Sequence, residues 1–215
     1  MKEQQNPRRC NGTHGKAGKG PTSYQMHDSN LVFQELDLSP GQTFLDLGCG
    51  PGDYVFHAAR EVGKEGLVLA VDLNQNRIHE VQQRSRKQGI KNVAVQMQDM
   101  CAPLPFPNEC VNTCLLSTSL HCLDIENQGA PLFKEIYRII SPGGLVAVLE
   151  CKKEKMNFGP PLSMRISEHD VDAIALPSGF SRNSYLDLGC NYLVCYRKTT
   201  ISHSTNNEHI QGKTQ

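Results

Sequence analysis

The sequence predicts an α/β domain in which a mostly parallel sheet is covered on both faces by helices. Three observations lead there. Short apolar runs that end in turn residues alternate five times with stretches whose apolar residues recur every three or four positions. The first run, Phe44 to Leu47, is followed at once by Gly48, Gly50 and Gly52 and then by the helical stripe Val55, Ala58, Ala59 and Val62, so the local order is strand, glycine turn, helix. Last, Tyr185 to Leu188 and Tyr192 to Tyr196 flank Gly189-Cys190-Asn191, the pattern of a closing antiparallel hairpin.

The remaining elements follow in order. Leu31 to Leu36 reads as a short helix with Val32, Phe33 and Leu36 inward, and Ser39-Pro40-Gly41 turns the chain into the first strand. Leu67 to Val71 is a second strand, ended by Asp72. Asn76 to Gln88 is a helix with a thin stripe of Ile78 and Val81, stopped by Gly89. Val93 to Gln98 alternates apolar and polar, as an edge strand does, and Pro103 to Pro107 breaks the chain before a fourth strand, Val111 to Leu116. Ser117 to Leu123 leaves the carboxyl end of that strand. Leu132 to Ile140 is an amphipathic helix, Ser141-Pro142-Gly143-Gly144 ends it, and Leu145 to Glu150 is the fifth strand. Lys152 to Arg165 is irregular, and Glu168 to Leu176 is a last helix, stopped by Pro177 and Gly179.

Composition narrows the function. At 215 residues one domain is expected, long enough to bury a core. Residues 1–22 are rich in Gly, Lys, Asn and Gln and read as a flexible basic arm; 23–198 form the folded domain; 199–215 read as a disordered polar tail. With 22 basic and 22 acidic residues there is no overall field to draw nucleic acid, which points to a small-molecule partner. No apolar run approaches the ~20 residues of a membrane span, and Met1 to Gly20 lacks the apolar middle of a secretory signal, so a cytoplasmic protein is expected, as monomer or homodimer. Nine cysteines form no C-x-x-C pair and are expected to be reduced and mostly buried. Cys110, Cys114 and Cys122 could instead gather a soft metal, but their spacing is not a zinc pattern, and no metal is expected.

At a strand-to-helix turn three glycines let the backbone approach a ligand, and the helix start behind them offers free N–H groups. The alternating spacing Gly48, Gly50, Gly52 departs from the G-x-G-x-x-G of dinucleotide binding, which disfavours a nicotinamide-dependent oxidoreductase. Asp72, 20 positions after Gly52 at the tip of the neighbouring strand, is placed to accept from both hydroxyls of a ribose.

Asp46-Leu-Gly-Cys-Gly-Pro-Gly52, Ala70-Val-Asp72, Gln98-Asp99-Met100, Leu104-Pro-Phe-Pro107, Leu120-His-Cys-Leu123 and Glu135-Ile-Tyr-Arg-Ile-Ile-Ser-Pro-Gly-Gly144 together resemble the successive motifs of class I S-adenosylmethionine-dependent methyltransferases. The likeness is greatest to the small-molecule (type 11) branch that includes ubiquinone/menaquinone and arsenite methyltransferases, and it runs from about Leu31 to Lys198. The resemblance implies a Rossmann-like seven-stranded sheet in the order 3-2-1-4-5-7-6 with the last strand antiparallel. It implies S-adenosyl-L-methionine as methyl donor, S-adenosyl-L-homocysteine as product and a small-molecule acceptor. It further implies that Asp72 holds the ribose, that Asp99 and the Met100 N–H meet the adenine, and that Gly48, Gly50 and Gly52 pass under the methionine portion, with Asp46 supporting the loop and Cys49, Leu73 and Ser117 completing the cofactor site. His121 falls near the methyl donor as general base, substrate contact or packing residue. In many relatives the segment before the first strand folds over the cofactor, which marks Tyr24 and His27 as substrate-side candidates. The chain departs from the pattern at Asn112, where an acid is usual, and at Cys122, where a second histidine is common. A cofactor-binding partner or sensor without turnover is the alternative within the same resemblance.

Overall fold

Seven strands form one sheet in the order β3-β2-β1-β4-β5-β7-β6 in a computed structural model that describes residues 22–199. The strands are β1 (Thr43–Leu47), β2 (Leu67–Asp72), β3 (Val93–Met97), β4 (Val111–Ser117), β5 (Ile140–Cys151), β6 (Phe180–Leu188) and β7 (Asn191–Lys198). Five helices accompany them: α1 (Ser29–Leu36), α2 (Asp53–Glu61), α3 (Gln75–Gln88), α4 (Ile125–Ile139) and α5 (Glu168–Ala175). β1 to β5 run parallel, while β7 is antiparallel to both β5 and β6. This is the expected order. The arm before Thr22 and the tail beyond Thr199 lie outside the described residues.

Alternation along each strand divides the apolar residues into two cores. Phe44, Leu115 and Leu149 pack with Val32, Phe33, Val55, Ala58 and Val81 under α1, α2 and α3. Leu45, Leu47, Cys114 and Val148 pack with Phe133, Ile136 and Val171 under α4 and α5. Asp46, between Leu45 and Leu47, therefore belongs by alternation to the first face, at the end of β1 where the chain order in the sheet reverses.

Three boundaries differ from expectation. β5 begins at Ile140 rather than Leu145, and residues 141–144, expected as a turn, lie within the strand where its register against β4 shifts. Helix α4 begins at Ile125, seven residues early, despite Gly129 and Pro131. Asp124 caps it, its side chain accepting from the Asn127 N–H, and a Cβ at Gly129 would lie 3.1 Å from Ile174 Cδ1, so close packing with α5 selects the glycine that local propensity argues against. The hairpin arms extend back to Phe180 and forward to Lys198. Ser181, Arg182 and Asn183 are exposed on the outermost strand and so carry no apolar alternation to read. Asn112, which replaces the usual acid, accepts from the Thr43 N–H at 2.8 Å and joins the starts of β1 and β4.

Gly52, the N-cap of α2, has φ of 86°, and a Cβ there would lie 2.8 Å from Val81 Cγ2 on α3. Gly52→Ala is expected to destabilise the fold by about 2 kcal/mol, from left-handed strain plus the displaced helix. Urea unfolding of the two proteins measures it.

Candidate functional site

The glycine turn is held by β2. The Gly48 and Cys49 N–H groups both donate to the Val71 carbonyl, at 2.8 and 2.9 Å. The Gly50 N–H donates to Asp72 Oδ2 and the Asn74 N–H to Asp72 Oδ1, each at 2.8 Å. Asp72 thus ties the turn to the start of α3, and an ionised carboxylate retains lone pairs for further donors. A Cβ at Gly50 would meet nothing within 4 Å, so the turn is open there. A Cβ at Gly48 would lie 2.9 Å from Ser119 Cβ and 3.2 Å from Met100 Cε, which brings the loops after β3 and β4 against the turn. Cys49 packs in the first core, its thiol donating to the Gly50 carbonyl at 3.8 Å, and burial raises it.

Asp46 is 1% exposed, and neither carboxyl oxygen has a hydrogen-bond partner among the described residues. Burial, reinforced by the charges of Asp72 and Asp53, pushes its carboxyl up to about 8. The sequence reading made Asp46 a brace for the loop; the bracing bonds come instead from the Val71 carbonyl and Asp72. A buried polar group without a partner is rare enough to ask for a ligand.

Beyond Asp72, Leu73 is 68% exposed and Met97 also faces solvent. Asp99 is exposed and caps its own turn, Oδ1 accepting from the Cys101 N–H at 2.9 Å, while Met100 is half-buried against the second core. Ser117, at the carboxyl end of β4, is buried.

The segment before α1 crosses this region. Thr22 Oγ1 donates to Asp53 Oδ2 at 2.9 Å, the Ser23 and Ser117 hydroxyls are 2.9 Å apart, Tyr24 OH is 2.9 Å from His57 Nδ1, and His27 Nε2 is 3.0 Å from Tyr54 OH. Tyr24 packs edge-on against Tyr54, and Phe33 stacks on His57. Burial lowers both His27 and His57, so these imidazoles are neutral hydrogen-bonding groups near pH 7. Ser23 is thus brought against Ser117, and Tyr24 and His27 against α2. Their α2 partners Tyr54 and His57 were missed, because nothing in the sequence distinguishes them from core residues.

His121 is the middle residue of a short 3-10 turn, Leu120–Cys122. Glu150, 1% exposed near the end of β5, accepts from His121 Nδ1 at 2.9 Å and from the His121 N–H at 3.3 Å. Burial pulls the imidazole down, but hydrogen bonds to Cys122 and Glu150 and the Glu150 charge outweigh it and hold His121 up at about 10. An imidazolium has no lone pair with which to take a proton, so near neutral pH the geometry favours a donor rather than a general base. Glu150 had a visible sequence signal, an acid ending an apolar strand as Asp72 does. Arg165 had none: it is 4% exposed and spends its guanidinium on the carbonyls of Lys152, Glu154, Phe158 and Pro160, fixing the 152–165 stretch from within.

Of the eight described cysteines, Cys49, Cys114, Cys151 and Cys195 are buried, Cys122 and Cys190 are exposed, and none forms a disulfide. Among the described residues no three His, Cys, Asp or Glu side chains gather as metal ligands would, and no helix is long and apolar enough to cross a membrane.

Comparison with known proteins adds an independent line. Residues 38–175 match a family model described as a methyltransferase domain. The chain is 36% identical over 111 residues to an arsenite methyltransferase of Halobacterium salinarum, an alignment covering 52% of this chain and 27% of that protein. It is 30% identical over 118 residues to a demethylmenaquinone methyltransferase of Lactobacillus johnsonii, covering 55% and 47%. The matched region thus spans less than half the length of these curated relatives. Among solved structures, a SAM dependent methyltransferase from Aquifex aeolicus superposes with a TM-score of 0.74 at 26% identity, over 81% of this chain and 91% of that one. A [4+2]-cyclase superposes with a TM-score of 0.69 at 17% identity, over 80% of each chain, and shows the fold alone.

Proposed function

The chain belongs to the methyltransferase domain family, and from that premise we propose that it is an S-adenosyl-L-methionine-dependent methyltransferase acting on a small-molecule acceptor. The observation that carries this is the Asp46 carboxyl, buried without a partner at the foot of a turn that is open at Gly50. The ammonium of the cofactor's methionine portion is a donor of the kind Asp46 lacks. Asp72 has lone pairs left for ribose hydroxyls, and Leu73 offers an exposed apolar face for a purine. The resemblance assigns Asp99 and the Met100 backbone to the adenine edge; Asp99 is exposed and fits that role alongside its capping bond.

The bound cofactor supplies a methyl already activated on a sulfonium. What remains for the chain is to hold donor and acceptor in line and keep water out. Asp72 and the turn fix one end, while Ser117 and the loop after it border the other, across the switch point between β1 and β4 where open α/β sheets place their ligands. Ser23, Tyr24 and His27 roof the space by their bonds to Ser117, His57 and Tyr54.

The test is calorimetric titration with S-adenosyl-L-homocysteine at pH 7, in phosphate and in Tris. Binding is expected with release of about one proton, as an ammonium drives the proton from Asp46. Absence of binding, or preferential binding of a nicotinamide dinucleotide, would refute the assignment.

A further inference from the structure

We propose that the Glu150–His121 pair anchors the acceptor, and that the acceptor presents an anionic oxygen, as a carboxylate or an ionised enol or phenol; this rests on reading the domain as a methyltransferase. Glu150 is sealed inside the sheet, and among the described residues His121 is its sole ion-pair partner. Unlike Asp46, which has no donor and keeps its proton, Glu150 receives both the Nδ1–H and the backbone N–H of His121, so the pair is ionic and His121 is a fixed donor. The groups around it are the Cys122 thiol, bonded to the ring; Cys151, next to Glu150, with the Arg165 guanidinium near it; and Tyr192, which pairs with Glu150 across β5 and β7 and whose phenol burial raises. The Cys122 sulfur and the Glu150 carboxylate, the latter at 2.9 Å from Nδ1, both favour the ring's proton, and the imidazolium persists well above neutrality.

The position suits an acceptor. Ser117 pairs with Leu149, so Glu150 lies one residue past the carboxyl end of β4, beside the switch point, and the His121 side chain keeps 14% of its surface exposed. An acceptor that arrives ionised needs no base. Its oxygen, or the carbon conjugated to it, forms the bond to the methyl; the S–CH3 bond breaks and its electron pair stays on sulfur, which becomes a neutral thioether. The imidazolium contributes by holding the anion in place and keeping it deprotonated, and Glu150 acts through it as a positioning residue.

Two measurements decide this. In ring-labelled protein without any ligand, the His121 C–H resonances are expected to stay at their protonated positions from pH 6 to 9, and to titrate toward the ordinary imidazole range in Glu150→Gln; titration of wild-type His121 near pH 6.5 would overturn the proposal. In protein saturated with S-adenosyl-L-homocysteine, benzoate is expected to bind about tenfold or more tighter than benzamide, the factor of a charge-assisted hydrogen bond. His121→Arg should keep that preference. The double variant His121→Gln/Glu150→Gln removes both charges together, leaves no unpaired buried ion, and should lose it. Equal binding of the two probes, or none, overturns the proposal while the cofactor assignment stands. Failure of S-adenosyl-L-homocysteine itself to bind strikes the methyltransferase reading, and the resonance titration still decides on the pair.

Discussion

Asp72→Ala is expected to weaken S-adenosyl-L-homocysteine binding roughly a hundredfold or more. The carboxylate has two duties. It accepts the Gly50 and Asn74 N–H groups at 2.8 Å, setting the turn against the start of α3, and it is the acceptor assigned to the ribose. Hydrogen bonds to a charged group are worth ~1.5–3 kcal/mol each, so losing two toward the ligand costs ~3–6 kcal/mol, and the untied turn adds to that. Asp72→Asn keeps one acceptor oxygen and should fall between wild type and alanine. Calorimetry reads all three, and undiminished affinity in the alanine variant would remove Asp72 from the site.

Asp46→Asn should change how stability depends on pH. In the unfolded chain an Asp carboxyl ionises near its ordinary value of 3.8, whereas in the fold burial, with Asp72 and Asp53, holds Asp46 at about 8. Between those limits the folded state carries a proton that the unfolded state has lost. Stability is therefore fully present below about pH 4 and falls as pH rises toward 8, by up to ~1.4 kcal/mol per pH unit. Summed over that span, the wild type should lose on the order of 5 kcal/mol relative to Asp46→Asn, which carries no such proton. Parallel urea titrations at pH 5 and pH 8 measure the difference; equal slopes for the two proteins would mean that Asp46 is not buried as described. Saturating cofactor should reduce the penalty, because it offers the ionised form a partner.

What the sequence disclosed and what it hid divide along distance in the chain. Asp46, the three glycines and Asp72 are legible because their geometry is local: a strand end, a tight turn, and the tip of the adjacent parallel strand. His121 could be placed at the carboxyl end of β4 by the same logic, but its chemistry is set by Glu150, 29 residues away, and only the β4–β5 pairing brings them together. Tyr24 and His27 could be flagged but not partnered, since their bonds reach 33 and 27 residues ahead to side chains that look like core. The early start of α4 was hidden for the opposite reason, because Gly129 and Pro131 argue locally for a break that packing against α5 and the Asp124 cap override.

The two outermost strands bear on how copies of this chain can meet. β3 leaves Ala94, Gln96 and Met97 facing water, and β6 carries Ser181, Arg182, Asn183 and Asp187 outward with an irregular register between Arg182 and Ser184. Arg182 is further tethered to Asp172, and Asp187 to Lys152. The β6 border, polar, charged and kinked, is a poor template for adding a foreign strand, whereas β3 carries no charge and keeps a regular register. Addition of a second copy strand to strand is therefore opposed at the β6 border, where the ribbon of strands ends.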